Sequence, residues 1–154
     1  MNQAPARHDW RHRSRSRAWV LQIHYRWEAG RADGTLRDAL AETLATRRVS
    51  PERIPYVRRV VERMQDHLDE IDVRLRQALD NWRLERLSSI DRGLLRLAAT
   101  EMLYLDDVPP KVSIQEAIQL AEAYSGPEGP RFVNGVLDAL YRTLDGSSPA
   151  ARPE

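Results

Sequence analysis

Apolar residues recur along most of the chain at the three- and four-residue spacing of amphipathic helices. The clearest stripe consists of Val57, Val61, Met64, Leu68, Ile71, Leu75 and Leu79. A later segment, from Ser88 or Ser89 to about Leu105, has apolar residues on more than one side and should be buried centrally. Further helices are predicted near 14–28, 35–46, 113–124 and 131–144. The pattern therefore predicts an all-α fold, a compact bundle of about seven helices.

Polar, glycine and proline residues mark the predicted helix ends. Ser50 is the expected N-cap of the long helix, with Pro51 at its first helical position. Ser113 and Glu116 have the spacing of a capping box, which predicts a helix that begins there. Gly30 is the expected C-cap of the first helix.

A change of direction at Asn81-Trp82 divides the predicted helices into two groups. We therefore predict a flexible basic arm over 1–13, an N-terminal helical subdomain over 14–80 and a C-terminal helical subdomain over 81–145. Residues 146–154 are predicted to form a disordered tail.

The composition of the 154-residue chain excludes several kinds of site and function. It contains no cysteine, which excludes disulfides, thiolate metal sites and a cysteine nucleophile. No apolar run approaches the roughly 20 residues that span a bilayer, so no membrane association is expected and the predicted location is cytoplasmic.

No motif for catalysis is found. The sequence has no glycine-rich phosphate loop, no G-x-S-x-G and no H-E-x-x-H. His8 and His12 are four residues apart, but the surrounding arginines would repel a cation, so we interpret them as solvated arm residues. The prediction is a protein that is not an enzyme, with no catalytic residue, metal or cofactor.

The N-terminal segment carries a concentrated positive charge. Its first 17 residues contain five arginines and one acid, whereas the whole chain has a net charge of +1 and a single lysine, Lys111. Guanidinium groups at Arg13, Arg15 and Arg17 can neutralise phosphates and stack on unpaired bases, which favours single-stranded RNA. The following helix would add Gln22. A solubilising tail is the alternative interpretation.

Two features allow more than one interpretation. Asn134-Gly135 lies within helical periodicity, where a glycine costs about 1 kcal/mol relative to alanine. Close packing against a neighbouring helix is the interpretation we favour, and approach of another molecule to the backbone is the functional one. Of the tryptophans, Trp27 and Trp82 are assigned to packing. For Trp10 we keep both interpretations, packing and stacking on a base.

Four stretches resemble the bacterial transcription antitermination factors of the NusB family. They are residues 15–27, 87–98, 107–118 and 132–138, which read RSRAWVLQIHYRW, LSSIDRGLLRLA, DVPPKVSIQEAI and FVNGVLD. They have the family's order and spacing over about residues 13–145. The resemblance implies two packed three-helix subdomains and no catalysis.

The resemblance also implies partners. NusB-like proteins bind boxA-type single-stranded RNA of ribosomal RNA leaders together with the small-subunit ribosomal protein that acts as NusE. They thereby help the RNA polymerase antitermination complex resist termination.

The family's motifs assign roles to individual positions of this chain. For RNA they indicate Arg13, Arg15 and Arg17, with Lys111 added because a cation beside a helix N-terminus can share a phosphate with free amides. The residues expected on the NusE surface are Tyr25, Asp91, Glu128 and Phe132. Asn134 is added because, in its functional interpretation, another molecule approaches the backbone at this position.

Two alternatives use the same fold differently. A NusB-like domain can serve as the RNA-targeting part of a ribosomal RNA methyltransferase. However, the chain ends about ten residues after the last predicted helix, which leaves no room for a cofactor-binding sheet. A NusB-like protein can also associate into a homodimer that covers its RNA surface.

Overall fold

The computed structural model describes residues 7–30 and 33–144, with side chains described from residue 10 onward. Within these residues the chain forms six α-helices and one short 3₁₀ turn, without strands. The all-α prediction is confirmed. The helices are α1 (Arg7–Ala29), α2 (Leu36–Thr46), α3 (Ile54–Ala78), α4 (Ser89–Tyr104), α5 (Pro110–Tyr124) and α6 (Gly129–Leu144), and the 3₁₀ turn is Leu84–Arg86.

The first compact unit extends to Asp66 and contains α1, α2 and the first part of α3. Its buried apolar side chains come from all three helices: Val20, Leu21, Ile23, Leu36, Leu40, Val57, Val60, Val61 and Met64. Thr35 and Asp38 form a capping box at the start of α2. The amide of Leu36 donates to the side chain of Gln65 over 2.8 Å, which connects α2 to α3.

The second compact unit begins at His67 and contains the rest of α3, the 3₁₀ turn and α4 to α6. Helix α4 lies at its centre, because every residue from Gly93 to Glu101 is buried. This confirms the prediction drawn from its wide apolar surface. Side chains from α3 and α6 complete the core around it, among them Ile71, Leu75, Val133, Leu137 and Leu140.

The boundary between the units lies inside α3, not at the predicted change of direction near Asn81. At His67 the backbone leaves helical geometry (φ −124°, ψ 20°). Beyond it, side chains of α3 bind the second unit: the His67 ring stacks on Tyr104 with centroids 3.9 Å apart, and Arg74 donates to Thr143. The break at Asn81 does exist, with a left-handed φ of 65°, but it only ends α3.

Three helix starts differ from the predictions. Helix α1 begins at Arg7, not near Ser14, since arginine is a good helix former and residues 7–29 contain no glycine or proline. The arm predicted over 1–13 is thus helical from Arg7, whereas residues 1–6 lie outside the described residues. The predicted tail, 146–154, also lies outside them.

Ser50 does not cap α3, because residues 51–53 form a turn and the helix starts at Ile54. The Ser50 hydroxyl instead donates to the carboxylate of Glu52 over 2.6 Å.

The predicted capping box at Ser113 is wrong. Helix α5 already starts at Pro110, where proline is favoured because its missing N–H would have no partner anyway. Ser113 is therefore inside the helix and buried.

No helix within the described residues is both long enough and apolar enough to cross a membrane.

A buried ion pair joins α3 to α4 within the second unit. The Arg96 guanidinium donates to both carboxylate oxygens of Asp72, over 2.9 and 2.8 Å. Both side chains are almost completely shielded from solvent. A buried charge that loses its partner is strongly destabilising, so this pair constrains how α4 lies against the second part of α3.

We expect Asp72→Ala to lower the free energy of unfolding by about 3 kcal/mol, because it removes the carboxylate that accepts two hydrogen bonds from the buried Arg96 guanidinium. Asp69→Ala is the matched control, since Asp69 is an exposed aspartate on the same helix. Urea denaturation measures both variants. Equal, small effects of the two substitutions would contradict this role for the pair.

Candidate nucleic-acid interface

The exposed side of α1 presents polar and basic side chains at helical spacing. Arg11, Arg15 and Gln22 are all exposed, and steps of four and seven residues place them on one side of the helix. The opposite side carries Val20 and Ile23, which are buried in the first unit. The predicted RNA residues Arg15 and Gln22 therefore lie on one accessible stripe.

The guanidinium groups of Arg11 and Arg15 have no acidic partner among the described side chains. Some exposed arginines elsewhere do have acidic partners. The Arg37 guanidinium lies 2.7 Å from the Glu62 carboxylate, and this hydrogen bond raises the pKa of Arg37 above its ordinary value. Among the described side chains, the charges of Arg11 and Arg15 are thus open to an anion from outside, such as a phosphate.

Arg13 and Arg17 do not share this exposure, because both pack against Tyr56 at the start of α3. The Cζ atoms of Arg13 and Arg17 lie 4.7 and 5.5 Å from the centroid of the tyrosine ring. The Arg17 guanidinium also donates to the Tyr56 hydroxyl over 3.5 Å, and only 3% of Arg17 is exposed. Two of the three predicted RNA arginines therefore form a cation–π cluster with one ring.

The serine between these arginines is a packing residue. Ser16 is completely buried, and its hydroxyl contacts the carbonyl oxygens of His12 (2.6 Å) and Arg53 (3.3 Å). The second contact joins α1 to the turn before α3. A longer basic side chain would not fit at this buried position.

Lys111 lies in the second unit, as the second residue of α5, and it is exposed. This agrees with its expected place beside a helix N-terminus.

The residues predicted for the partner surface gather, in the second unit, where α4 and α6 begin. Asp91, in the first turn of α4, accepts a hydrogen bond of 2.6 Å from the hydroxyl of Ser125, the C-cap of α5. Glu128 is exposed in the following loop. A Cβ atom at Gly129 would overlap with the Ser125 side chain, so glycine is required at the start of α6 for this hydrogen bond to form.

Phe132 and Trp82 extend this surface. Their rings meet edge to face with centroids 5.4 Å apart, and Phe132 is half-buried. Trp82 is 60% exposed, so its assignment to packing was wrong. The sequence did not reveal this, because a tryptophan between two helices is equally compatible with a core position.

Asn134 and Gly135 lie inside α6, as predicted, and both are exposed. Apart from the neighbouring residues and backbone of α6 itself, no heavy atom lies within 4 Å of the position that a Cβ of Gly135 would take, so close packing against another helix does not explain the glycine. Tyr25, the partner-surface residue of the first unit, is 50% exposed on α1. The functional interpretation of Asn134 remains a prediction.

The sequence profile of the NusB family matches residues 14–142. This chain belongs to the NusB family. A NusB-family relative from Solibacter usitatus, described as transcription antitermination protein NusB, is 40% identical over 144 residues, which cover 91% of this chain and 96% of the relative.

Solved NusB structures have the same fold. NusB of T. maritima is 35% identical, with a TM-score of 0.77 over 84% of this chain and 90% of that one. A crystal structure of the antitermination factors NusB and NusE in complex with dsRNA contains a chain that is 25% identical, with a TM-score of 0.75 over 86% of this chain and 97% of that one. The chain is therefore a NusB-type antitermination factor, and its family is not known to be enzymatic.

Substitution of the two glycines of α6 should have opposite effects on stability. Gly135→Ala should raise the free energy of unfolding by about 0.5–1 kcal/mol, since the site is helical and open. Gly129→Ala should lower it by about 1–3 kcal/mol, because the added methyl group displaces Ser125. Thermal or urea denaturation measures both. If Gly135→Ala destabilised the protein, the glycine would have a packing role after all.

Loss of the Tyr56 ring should loosen the cation–π cluster. We expect Tyr56→Leu to lower the free energy of unfolding by roughly 1 kcal/mol beyond Tyr56→Phe, which retains the ring and loses only the hydroxyl. Urea denaturation of the two variants separates the contribution of the ring from that of the hydrogen bond. Leucine and phenylalanine variants of equal stability would show that the two guanidinium groups gain nothing from the ring.

Proposed function

We propose that this protein binds boxA-type single-stranded RNA together with the ribosomal protein that acts as NusE. It thereby helps RNA polymerase resist termination, notably in ribosomal RNA operons, and acts in the cytoplasm. The observation that carries the proposal is the exposed basic stripe of α1, whose Arg15 guanidinium has no acidic partner among the described side chains. A related NusB structure contains NusE and dsRNA, which supports NusE as the partner and RNA as the class of ligand.

On the RNA side, the exposed residues Arg15, Gln22 and Lys111 can contact phosphates or bases without rearrangement. Arg13 is half-buried, with its guanidinium on Tyr56. Arg17 is buried beside the same ring, so its contribution to RNA binding would be to support Arg13, or to contact RNA after leaving the ring. Arginine fits this role because a planar guanidinium can both contact a phosphate and stack.

On the partner side, we propose that Asp91, Glu128, Phe132 and Asn134 of the second unit contact NusE, and, separately, Tyr25 of the first unit. In the second unit the half-buried ring of Phe132 lies near the carboxylates where α4 and α6 begin, a composition that suits a basic ribosomal protein. Hydrogen bonding of Asp91 to Ser125 holds one of these carboxylates in a fixed position. The open backbone at Gly135 would let a partner approach α6 closely.

The test is a titration of a fluorescently labelled boxA-like RNA with this protein, with and without its NusE partner, at several salt concentrations. We expect weak binding by the protein alone and tighter binding with the partner. Arg15→Ala should weaken binding and reduce the slope of log affinity against log salt by about 0.7, the contribution of one phosphate contact in a single strand.

The control for that titration is Arg48→Ala, which removes an exposed arginine outside α1. It should leave the affinity and the salt slope nearly unchanged. If the triple variant Arg13→Ala, Arg15→Ala, Arg17→Ala bound as tightly as the unmodified protein, the assignment of α1 to RNA would be wrong. A homodimer that ignored both RNA and NusE in sedimentation would favour the alternative of a purely dimerising protein.

A further inference from the structure

One aromatic residue on the basic end of α1 has no role in the function proposed above. Trp10 is 52% exposed, although tryptophan is costly to leave in water. It lies in the part of α1 that precedes residue 14, where the match to the NusB family begins. Trp10 and its neighbour Arg11 therefore lie just outside the region that the family profile matches.

The surroundings of Trp10 are basic and open. Trp10, Arg11, Ser14 and Arg15 line an open cleft of about 520 Å³. On a helix, Trp10 is the neighbour of Ser14 and Arg11 is the neighbour of Arg15, each pair four residues apart with Cβ atoms about 5–6 Å from each other. The cleft thus combines one large aromatic surface with two exposed guanidinium groups.

The indole ring and the two guanidinium groups indicate what kind of molecule would bind in the cleft. The positive charges favour an anion, and the aromatic ring favours a flat, apolar group in the same molecule. A nucleotide within a single strand satisfies both requirements, because its base can stack on the indole while the flanking phosphates contact arginine. A second copy of this chain suits the cleft less well, since it would bring its own arginine-rich segment against Arg11 and Arg15.

We propose that Trp10 is a base-stacking site that extends the RNA interface of α1 by at least one nucleotide beyond Arg15. The proposal rests on the proposed function, because the same strand would run from the Arg15 guanidinium to the cleft. Arg11 and Arg15 hold the phosphates on either side of the stacked base, and Ser14 leaves room for the base between them.

The test compares unmodified protein, Trp10→Ala and Trp10→Phe as ligands for the boxA-like RNA and for inorganic polyphosphate, which has charge but no bases. Trp10→Ala should weaken RNA binding about five-fold or more, the range of a lost base–aromatic stack, and leave polyphosphate binding unchanged. The slope of log affinity against log salt should be the same for Trp10→Ala as for the unmodified protein, whereas Arg15→Ala should reduce it. Trp10→Phe should retain most of the affinity, because phenylalanine keeps an aromatic surface.

Tryptophan fluorescence provides a second readout that does not depend on affinity. Saturating RNA should quench the emission of unmodified protein, and Trp10→Phe should remove most of that quenching. Trp27→Phe is the control, since Trp27 is half-buried near the other end of α1 with its ring against His24, and it should retain the quenching.

The outcomes separate the two proposals. If Arg15→Ala weakens RNA binding and Trp10→Ala does not, the stacking site is wrong and the proposed function stands. If unmodified protein ignores RNA even with NusE present, both fail. If Trp10→Ala weakens RNA and polyphosphate binding equally, or abolishes self-association measured by sedimentation, Trp10 supports the helix or a protein contact and the stacking proposal is overturned.

Discussion

Two guanidinium groups on one tyrosine ring fix the basic end of this protein. Arg13 and Arg17 lie against Tyr56, and the buried hydroxyl of Ser16 reaches the chain just before α3. Together these contacts hold the N-terminal half of α1 against α3 within the first unit. Without these contacts, packing would contribute little to the stability of such an arginine-rich segment. Repulsion between its guanidinium groups would then favour an unfolded conformation. Because they hold it, Arg15 is presented to solvent in a defined direction.

The second unit is organised by a different constraint, a buried charge. Arg96 and Asp72 join α4 to the second part of α3 through two hydrogen bonds inside the second unit. Such a pair tolerates little displacement, because separation would break these hydrogen bonds between charges that are shielded from solvent. The proposed partner surface starts only a few residues before Arg96 on α4, at Asp91. A rigid α4 therefore gives that surface a fixed support.

Periodicity and capping were enough to predict most of the helices but not how they contact one another. The apolar stripes located α2, α3 and α4, and Ser88 was correctly chosen as one of two N-cap candidates for α4. The predictions for Ser50 and Ser113 were wrong for different reasons. Ser50-Pro51 is followed by a turn before α3 begins, and the capping-box spacing of Ser113 and Glu116 lies inside α5, which begins at Pro110. The role of Tyr56 could not be read from the sequence, since it depends on α1 approaching α3. Likewise, only the three-dimensional structure shows that a Cβ atom would have room at Gly135 and would overlap with Ser125 at Gly129.

The unbroken length of α1 has a consequence for how two ligands would share this protein. Arg15 and Tyr25 lie on the same continuous helix, ten residues apart, which corresponds to about 15 Å along its axis. A helix is stiff over this length, so it would keep a fixed distance between the proposed RNA contact at Arg15 and the proposed partner contact at Tyr25. One inserted residue would turn the two ends by about 100° relative to each other. An insertion between them would therefore disturb the joint use of both ligands even if every contact residue were kept.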